Sequence, residues 1–410
     1  MKGQAHAPLL SLEETLTQLL AGLTPLNETE QLSLASSAYR ILAETLRSRV
    51  TVPGFDNSAM DGYAFDSADV TQKTQTLPIS LRVLAGDRPA TLTAGSACRI
   101  FTGAPLPKGA DTVVIQEDCE ERDGVLVLPH KWAPGAHIRR AGEDIQAGQI
   151  LLEKGVRLTP QAIGLAASCG MSQVLVRRRV RVTLLSTGNE LRETGGAPLE
   201  AGQIYDSNRP MLKALLERMG CSVQSIGPIA DDYEATRRAL REASTQADVI
   251  VTTGGVSVGE EDHVKAALQA EGTLALWRVA IKPGKPLAFG RVGEAYFLGL
   301  PGNPVSSFVT FLLFVQPFLM ALTGETPKPL RHFFVHAGFT RERGDRRREF
   351  MRGKLSPGPD GTLWVHPHTR QSSGVLSSTT WADGLIDIAA DRTVAEGDLV
   401  PFLPYDGLLP

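Results

Sequence analysis

The chain has 410 residues, which is roughly 2.7 domains at about 150 residues each, so two to four domains are expected. Apolar residues make up 42% and charged residues 21%, which is typical of folded globular proteins and excludes a disordered or collagen-like chain. Lys and Arg total 42 against 45 Asp and Glu, so a net charge of −3 provides no basic footprint for nucleic acid or an anionic membrane. We therefore expect neither nucleic acid nor a membrane as a partner.

The cysteines and the apolar stretches indicate the cellular compartment of the protein. The cysteines lie far apart and form no CxxC pair: Cys98, Cys119, Cys169 and Cys221. A zinc ribbon and a redox dithiol are therefore not expected, and the thiols are expected to be reduced. Residues 1–20 contain no long apolar run, and the most apolar stretch, Phe308–Leu322, is short for a bilayer-spanning helix. The sequence thus predicts a soluble, cytoplasmic protein.

The first part of the chain changes from a helical to a β pattern and back. Ser11–Leu20 and Gln31–Ser48 are predicted to be amphipathic helices, and Ser11 with Glu14 has the spacing of a capping box. Short β-like runs broken by Gly and Pro follow, which predict a small inserted β domain. Its predicted strands are Ile79–Ala85, Cys98–Phe101, Thr112–Ile115, Gly124–Leu128 and His137–Arg140. A helix over Gln161–Cys169 is predicted next.

From Val180 onward, predicted strands alternate with predicted helices, which implies a mostly parallel sheet covered on both faces. The strands are Val180–Leu185, Cys221–Ile226, Val249–Thr252, Trp277–Ile281 and Tyr296–Leu300. The helices are Pro210–Met219, Tyr233–Gln246, His263–Ala270 and Ser306–Leu322. Residues 323–330 have the composition of a linker, and a small β domain follows with strands over His332–Phe339, Glu349–Leu355, Leu363–His366, Gly384–Ile388 and Leu399–Phe402.

The loops after the predicted parallel strands are rich in Gly, Ser, Thr and Lys. They are Ser186–Glu190, Thr252–Gly259, Lys282–Pro286 and Leu300–Pro304. Ligands of open parallel sheets bind beyond the carboxyl ends of the strands, so the four loops should share one rim. Each alone is compatible with an ordinary turn, but together they predict an anion site made of backbone N–H groups and helix N-termini. No GxxxxGK[ST] motif is present, which disfavours a P-loop NTPase.

Carboxylates and lysines are predicted on the same rim. Glu190, Asp231 and Asp262 follow strands there, and carboxylates beside phosphate-binding loops favour Mg²⁺. Local alternatives are helix N-caps at Asp231 and at Asp262. Lys282 and Lys285 flank a Pro–Gly turn, so they are candidates to clamp an oxyanion, and a solvated lysine pair is the alternative.

The beginning of the last helix of the α/β part is a further candidate anion-facing site. Asn303 is expected to cap this helix, with Pro304 at its first position.

Several segments, taken together, resemble the molybdopterin molybdenumtransferase family (MoeA, and the E domain of gephyrin in animals). The matching motifs span nearly the whole chain: SAMDGYA at 58–64, TGAPLPKGADTVV at 102–114, RRAGEDI at 139–145, STGNEL at 186–191, YDSN at 205–208, TTGGVSVGEEDHV at 252–264, IKPGKPLAFG at 281–290 and GLPGNPVSS at 299–307. The resemblance implies a multidomain α/β plus β fold with four parts. These are an elongated helical and strand domain (10–52 and 145–179), an inserted β domain (53–144), a three-layer MogA-like α/β domain with a parallel-rich sheet (180–327) and a C-terminal β barrel (328–410).

The resemblance also implies a reaction and partners. Molybdate would be inserted into adenylylated molybdopterin with Mg²⁺-dependent release of AMP, the last step of molybdenum cofactor synthesis. The family acts as an elongated homodimer, in which the inserted domain of one subunit faces the α/β domain of the other. A MogA-like adenylyltransferase is a further candidate partner.

Roles for individual residues follow from the same resemblance. Asp262 and Asp231 match acidic positions of the family that are tied to Mg²⁺-dependent nucleotide cleavage. Glu190 is a further catalytic candidate because it is predicted on the same rim. The loop for the pterin phosphate and nucleotide comprises Gly254, Gly255, Ser257 and Gly259. The molybdate positions are Lys282, Lys285 and Ser306 in the α/β domain and Arg352 and Ser377 in the C-terminal domain. In the inserted domain the candidates are Asp61 and Asp144 as catalytic residues and Thr102 and Arg139 as substrate contacts.

Two other functions are compatible with parts of the sequence. A MogA-like molybdopterin adenylyltransferase needs only the α/β domain, so the other three parts argue against it. A non-catalytic scaffold or binding paralogue would not need charges at Asp262, Lys282 and Lys285. Tungstate, which is nearly isosteric with molybdate, is an alternative oxyanion.

Overall fold

The structure, a computed structural model, describes residues 9–71, 75–88, 90–255, 263–326, 331–358 and 361–408. Its backbone contacts divide the chain into two units. The larger unit comprises the described parts of Met1–Glu30, Tyr39–Ile41 and Arg177–Pro410. The smaller unit comprises Gln31–Ala38 and the described parts of Leu42–Val176.

Helices and strands are numbered along the chain. The α-helices are α1 (Leu12–Leu20), α2 (Pro160–Ser168), α3 (Asn208–Arg218), α4 (Tyr233–Gln246), α5 (His263–Glu271), α6 (Pro304–Thr310), α7 (Gln316–Leu322), α8 (Ser377–Trp381) and α9 (Tyr405–Leu408). The strands up to the end of the smaller unit are β1 (Thr29–Ser33), β2 (Leu46–Arg47), β3 (Asn57–Ser58), β4 (Gly62–Phe65), β5 (Thr76–Val83), β6 (Ala97–Ile100), β7 (Thr112–Ile115), β8 (Glu120–Arg122), β9 (Val125–Val127), β10 (Ile138–Arg139), β11 (Ile150–Leu152) and β12 (Gln173–Arg177). The remaining strands are β13 (Arg181–Thr187), β14 (Leu191–Arg192), β15 (Ile204–Tyr205), β16 (Ser222–Ile229), β17 (Val249–Thr253), β18 (Gly272–Arg278), β19 (Ile281–Lys282), β20 (Pro286–Val292), β21 (Ala295–Leu300), β22 (Phe333–Ala337), β23 (Arg348–Pro357), β24 (Leu363–Pro367), β25 (Gly384–Ile388) and β26 (Leu399–Pro404).

The first helix, α1, begins as its sequence predicts. The side chain of Ser11 accepts a hydrogen bond from the backbone N–H of Glu14, and the Glu14 carboxylate accepts one from the N–H of Ser11. This reciprocal arrangement satisfies two donors at the helix start, which confirms the predicted capping box.

The predicted helix over Gln31–Ser48 is wrong. Strands β1 and β2 and a 3-10 turn cover parts of this segment. Its leucines Leu34, Leu42 and Leu46 pack into one buried cluster of the smaller unit. The N–H of Leu42 donates to the carbonyl of Val156 over 2.9 Å instead of to the preceding helical turn. Long-range backbone pairing and burial therefore override a moderate helix propensity here.

The smaller unit is built around a six-stranded mixed sheet in the order β7-β4-β6-β5-β9-β8. It corresponds to the predicted β insertion, and each predicted strand is found within a few residues. One face packs a cluster that includes Phe65, Leu77 and Leu126, and the other packs Val83, Ile100 and Val113. The alternating side chains of these short strands thus supply two small cores.

The α/β part of the larger unit contains a six-stranded sheet in the order β16-β13-β17-β21-β20-β18. The first four strands are parallel, and β20 and β18 are antiparallel additions. Leu212 of α3 and Leu312 belong to the cluster on one face, whereas Leu240 of α4 and Leu268 of α5 belong to the cluster on the other. The predicted three-layer, parallel-rich fold is confirmed, although β20 was not predicted.

A 19-residue apolar helix, Pro304–Leu322, lies in the core of this unit. It comprises α6, a π-helical turn over Phe311–Val315, and α7. The helix extends beyond the apolar stretch Phe308–Leu322, and by length and composition alone it would suit a bilayer. However, 78% of the 18-residue, most apolar part of the helix is buried inside the protein, where the helix packs against the sheet.

The C-terminal part forms a closed barrel. Its strands follow the circuit β23-β24-β22-β26-β25, and β25 pairs again with β23. Strand β19 extends the barrel in parallel with β23. Val365, Ile386 and Phe402 lie in its buried core. The predicted C-terminal β barrel is thereby confirmed.

Candidate active site

A cleft of about 890 Å³ opens at the carboxyl ends of the parallel strands. Its wall includes Thr187 at the end of β13, Thr253 at the end of β17 and Pro301 directly after β21. A second wall comes from the C-terminal barrel through Arg347 and residues 371–373. The volume is that of a typical small-molecule or cofactor site, at the position where open α/β sheets bind ligands.

Two glycines let the chain turn directly against the end of β13. Gly254 and Gly255 have φ angles of +88° and +63°, a region that other residues rarely adopt. A Cβ on Gly254 would lie 2.8 Å from the carbonyl oxygen of Thr187, and one on Gly255 would lie 2.3 Å from Cγ2 of Val264. Gly254 and Gly255, two residues of the predicted nucleotide loop, line the cleft, whereas Ser257, Gly259 and Asp262 lie outside the described residues.

Two predicted carboxylates line the same cleft. Glu190 is exposed, and Asp231 is half-buried with its N–H donating to Oδ1 of Asn189 over 3.0 Å. The N-cap of α4 is Asp232, whose carboxylate accepts the N–H of Ala235 over 2.7 Å. The structure therefore rules out the alternative that Asp231 is the helix cap, and Asp231 remains on the cleft wall. In the part of the chain that the structure describes, no group of three or more His, Cys, Asp or Glu could hold a metal by itself.

The two lysines of the Pro–Gly turn have different surroundings. Nζ of Lys282 lies 3.0 Å from Oε1 of Glu349 and 3.5 Å from Oδ2 of Asp345. Lys285 is half-buried on the cleft wall, and within the described ranges no ion pair is recorded for it. Among the described residues, Lys282 thus shares its charge with two carboxylates and Lys285 with none.

Arg347 is a third cation of the described cleft wall. Its guanidinium contacts both carboxylate oxygens of Asp345, each over 3.2 Å. This hydrogen-bonded pairing, supported by the charge of Lys282, lowers the pKa of Asp345 to about 2. The carboxylate is therefore ionised near neutral pH and holds two cations from different parts of the chain next to each other.

Ser306 lies in the first turn of α6, is 5% exposed and lines the cleft. Asn303 occupies the N-cap position with Pro304 following it, as predicted. The side chain of Asn303 makes no capping hydrogen bond, however. Asn303 and Pro304 also line the cleft, so this helix start faces the same space as the lysines.

The two C-terminal candidates lie away from the described cleft wall. Arg352 is 1% exposed, and its guanidinium donates to Oγ of Ser378 over 3.0 Å and to the carbonyl of Ser372 over 3.2 Å. This burial lowers the pKa of Arg352. Ser377 is exposed at the start of α8. Arg352 therefore supports the segment that brings Ser372 to the cleft, instead of lining the cleft itself.

The inserted-domain candidates belong to the smaller unit. Oδ1 of Asp61 accepts hydrogen bonds from the N–H of Thr102 over 2.8 Å and from its hydroxyl over 2.7 Å. These bonds lower the pKa of Asp61. Arg139 ends β10 opposite Asn57 of β3, and its side chain is exposed. Asp144 is also exposed.

Sequence reasoning missed several residues of the cleft. Asp206 and Asn208 line it and belong to the YDSN segment, so the motif could have identified them. The barrel residues are Arg347, Gln371, Ser372 and Ser373. No local pattern marks them, because only the packing of the barrel against the α/β part brings them to the cleft.

Comparison with known proteins agrees with the fold. Three family models match: "MoeA N-terminal region (domain I and II)" over residues 10–170, "Probable molybdopterin binding domain" over 183–321, and "MoeA C-terminal region (domain IV)" over 336–405. The molybdopterin molybdenumtransferase of Haemophilus influenzae is 40% identical, over 98% of this chain and all of that protein. The Synechococcus elongatus protein of the same name is 38% identical over 91% and 95% of the two chains. The crystal structure of a MoeA protein from Pyrococcus horikoshii superposes with a TM-score of 0.81 at 28% identity, covering 97% of this chain and 100% of that one. The chain therefore belongs to the molybdopterin molybdenumtransferase family.

Proposed function

We propose that this protein inserts molybdate into adenylylated molybdopterin and releases AMP. The observation that carries the proposal is the distribution of charge along one cleft. In sheet order, Asp231 and Glu190 follow β16 and β13, Gly254 follows β17, and Lys285 precedes β20. Carboxylates thus lie at one end of the rim and cations at the other, with glycine-rich turns between them.

The cationic end suits a tetrahedral oxyanion. Molybdate is a dianion without hydrogen-bond donors at neutral pH, so it requires Lys, Arg, hydroxyl and N–H donors. Lys282, Lys285 and Ser306 supply such groups from the α/β part. Arg347 and Ser373 line the opposite wall, so we assign the C-terminal oxyanion contacts to them in place of Arg352 and Ser377.

The carboxylate end suits a hydrated magnesium ion bound to a phosphate. Mg²⁺ prefers oxygen ligands and is usually held by one or two carboxylates together with substrate phosphates. Asp231 offers such oxygens, and Asp262, which follows the glycine-rich loop in the sequence, is the second proposed ligand. When bound, the ion would neutralise the charge that develops as AMP leaves. Glu190 would orient the attacking or leaving group, and Gly254 and Gly255 let the nucleotide approach the backbone.

The remaining proposals rest on family membership. The working form is a cytoplasmic homodimer that receives its substrate from a MogA-like adenylyltransferase. Asp61, Thr102, Arg139 and Asp144 of one subunit would complete the site of the other. The hydrogen bonds from Thr102 to Asp61 keep that carboxylate ionised and oriented, which supports such a role.

A product assay separates this function from its rivals. The protein would be given adenylylated molybdopterin, Mg²⁺ and molybdate without ATP, and we expect AMP and molybdenum-bound pterin to form. With molybdopterin and ATP instead, we expect no adenylylation. Adenylylation in the second reaction and no product in the first would support the adenylyltransferase, whereas no product in either would support the scaffold.

A further inference from the structure

The segment that starts α3 has no role in the proposed chemistry, yet it contacts the ends of three of the four parallel strands beneath the cleft. Asp206 is 3% exposed and Asn208 is 8% exposed. Oδ2 of Asp206 accepts the hydroxyl proton of Ser186, near the end of β13, over 2.7 Å. Nδ2 of Asn208 donates to Oγ1 of Thr253, at the end of β17, over 2.8 Å. It also donates to the carbonyl of Gly302, just beyond β21, over 2.6 Å.

The amide of Asn208 can take only one orientation. The Gly302 carbonyl is an acceptor only, so the nitrogen of the amide must face it. Both hydrogens of Nδ2 are then used, one on each loop. The oxygen Oδ1 is buried and has no hydrogen-bond partner among the described residues. Leaving a buried carbonyl oxygen without a hydrogen bond costs free energy. The two donated bonds therefore hold the side chain in this position despite that cost.

Asn208 does not serve its own helix. The N-cap position of α3 is Ser207, which makes no side-chain capping bond. Instead, Oδ1 of Asp206 accepts the N–H of Arg209 over 3.1 Å. Asp206 therefore ties the helix start to β13, which leaves the amide of Asn208 to connect the next two loops.

Side chains hold the loop after β21: Asn208 donates to the carbonyl of Gly302, and the hydroxyls of Thr253 and Ser307 donate to the carbonyl of Pro301. Thr253 is the last residue of β17 and is held by the parallel ladder with β13. Gly302 lies in the turn between β21 and α6, beyond the ladder. That turn leads directly into Ser306, the proposed oxyanion contact. A shift of the turn would therefore move the oxyanion donors while leaving the nucleotide side of the cleft in place.

We propose that Asn208 is a positioning residue that fixes the Gly302 turn, and with it Ser306, relative to the glycine loop at Gly254. The inference rests on the proposed function and adds a residue to that same site. It predicts a selective effect on molybdate. Loss of two hydrogen bonds should raise the molybdate concentration for half-maximal insertion at least about fivefold. The affinity for AMP should change by less than about twofold.

Two variants and a matched control test the proposal. Asn208→Ala removes both donors, and Asn208→Asp keeps the size but places an oxygen against the Gly302 carbonyl. Gln316→Leu is the control, because Gln316 is another buried amide that donates to one backbone carbonyl, that of Leu408, and has an unpaired oxygen. Gln316 does not appear in the described cleft wall. We expect the control to alter thermal stability without changing the molybdate dependence.

The measurements are molybdate-dependent insertion, AMP binding by calorimetry, and the melting temperature of each variant. A rise in the molybdate requirement for both Asn208 variants, with AMP affinity retained, supports the inference. Combining Asn208→Ala with Thr253→Ala should then add less than the sum of the single effects. An unchanged molybdate requirement, or equal losses in molybdate and AMP binding, overturns it. If the wild-type protein inserts no molybdate at all, the proposed function itself is wrong.

Discussion

The cleft of the larger unit and the Asp61–Thr102 pair of the smaller unit differ in how much of their bonding capacity is already used. Oδ1 of Asp61 accepts two hydrogen bonds from Thr102, and these two residues lie just outside the paired strands β4 and β6. In the cleft, Lys285 has no ion pair among the described residues. Asp231 also lines the cleft wall, and its neighbour Asp232 is the residue that caps α4. A side chain that is hydrogen-bonded within its own unit has a fixed orientation. A charged side chain without such a partner can still form bonds with a ligand.

This difference in bonding determines where substitutions should act. Replacing a cleft residue should change the binding or conversion of a ligand with little effect on the fold. Replacing Asp61 should act through its charge on a second subunit, because Asn at this position can still accept both bonds from Thr102.

The largest effect is expected at the carboxylate end of the cleft. Asp262→Asn and Asp231→Asn should each slow AMP release at least about 100-fold, because a carboxylate that holds Mg²⁺ contributes several kcal/mol to charge stabilisation. Binding of the adenylylated substrate should remain nearly intact. Release of AMP can be followed by chromatography, with Asp232→Asn as the neighbouring control. Wild-type release by Asp262→Asn would refute its assignment.

The lysine end should show a binding effect instead of a loss of chemistry. Lys285→Ala removes one charge-assisted contact worth about 1.5–3 kcal/mol, so the molybdate requirement should rise roughly 10- to 150-fold. Excess molybdate should partly rescue the variant. Lys282→Ala should also raise the requirement, and it leaves Glu349 without one of its cations.

A lysine elsewhere on the same unit provides the control. Lys213→Ala removes an exposed lysine that pairs with Glu217 on α3. Its molybdate dependence should match that of the wild type. If Lys285→Ala behaves like Lys213→Ala, the turn is a solvated surface feature and the oxyanion is held elsewhere.

Mixed dimers test whether the Asp61 region completes a neighbouring site. Asp61→Asn and Asp262→Asn homodimers should both be inactive. Random mixing would make half of the dimers heterodimers, and each heterodimer would have one intact site out of its two. The mixture should therefore recover about a quarter of the wild-type activity. A monomer mass in light scattering, or a mixture as inactive as its components, would argue against a shared site.

The smallest expected effect concerns Asp345. Its pKa in the folded protein, about 2, lies below the ordinary value of 3.8, so its ion pairs stabilise the fold above pH 4. That stabilisation is lost as the pH falls toward 2. Asp345→Asn should lower the free energy of unfolding by about 1–2 kcal/mol at pH 7, and urea titrations should show the difference shrinking below pH 4. A difference that does not change with pH would contradict this explanation.

The sequence predicts the parts of the fold that repeat a regular pattern. The bounds of α4, β7 and β25 agree with prediction to the residue. Strand β20 was missed because Pro283 and Pro286 made the segment look like a loop. The segment 31–48 was misassigned because its leucines are buried by long-range pairing that no local period reveals.

The site follows the same division. Glu190, Asp231 and the lysines were predictable because they follow or flank strands whose ends must meet at one rim. Arg347 and Ser373 come from a separate barrel, so their place in the cleft depends on packing between two parts of the chain. Arg352 has the residue type expected of an oxyanion contact, but its burial beneath Ser372 could not be predicted from the sequence.

The most direct test of the proposed reaction measures both products while molybdate is titrated. Purified protein would be mixed with adenylylated molybdopterin and Mg²⁺, and both the AMP released and the molybdenum bound to pterin would be measured. One cleft that cleaves the nucleotide at one end and holds the oxyanion at the other predicts equal molar amounts that rise together and saturate at the same molybdate concentration. Release of AMP without molybdenum incorporation at saturating molybdate, or incorporation without AMP release, would contradict it.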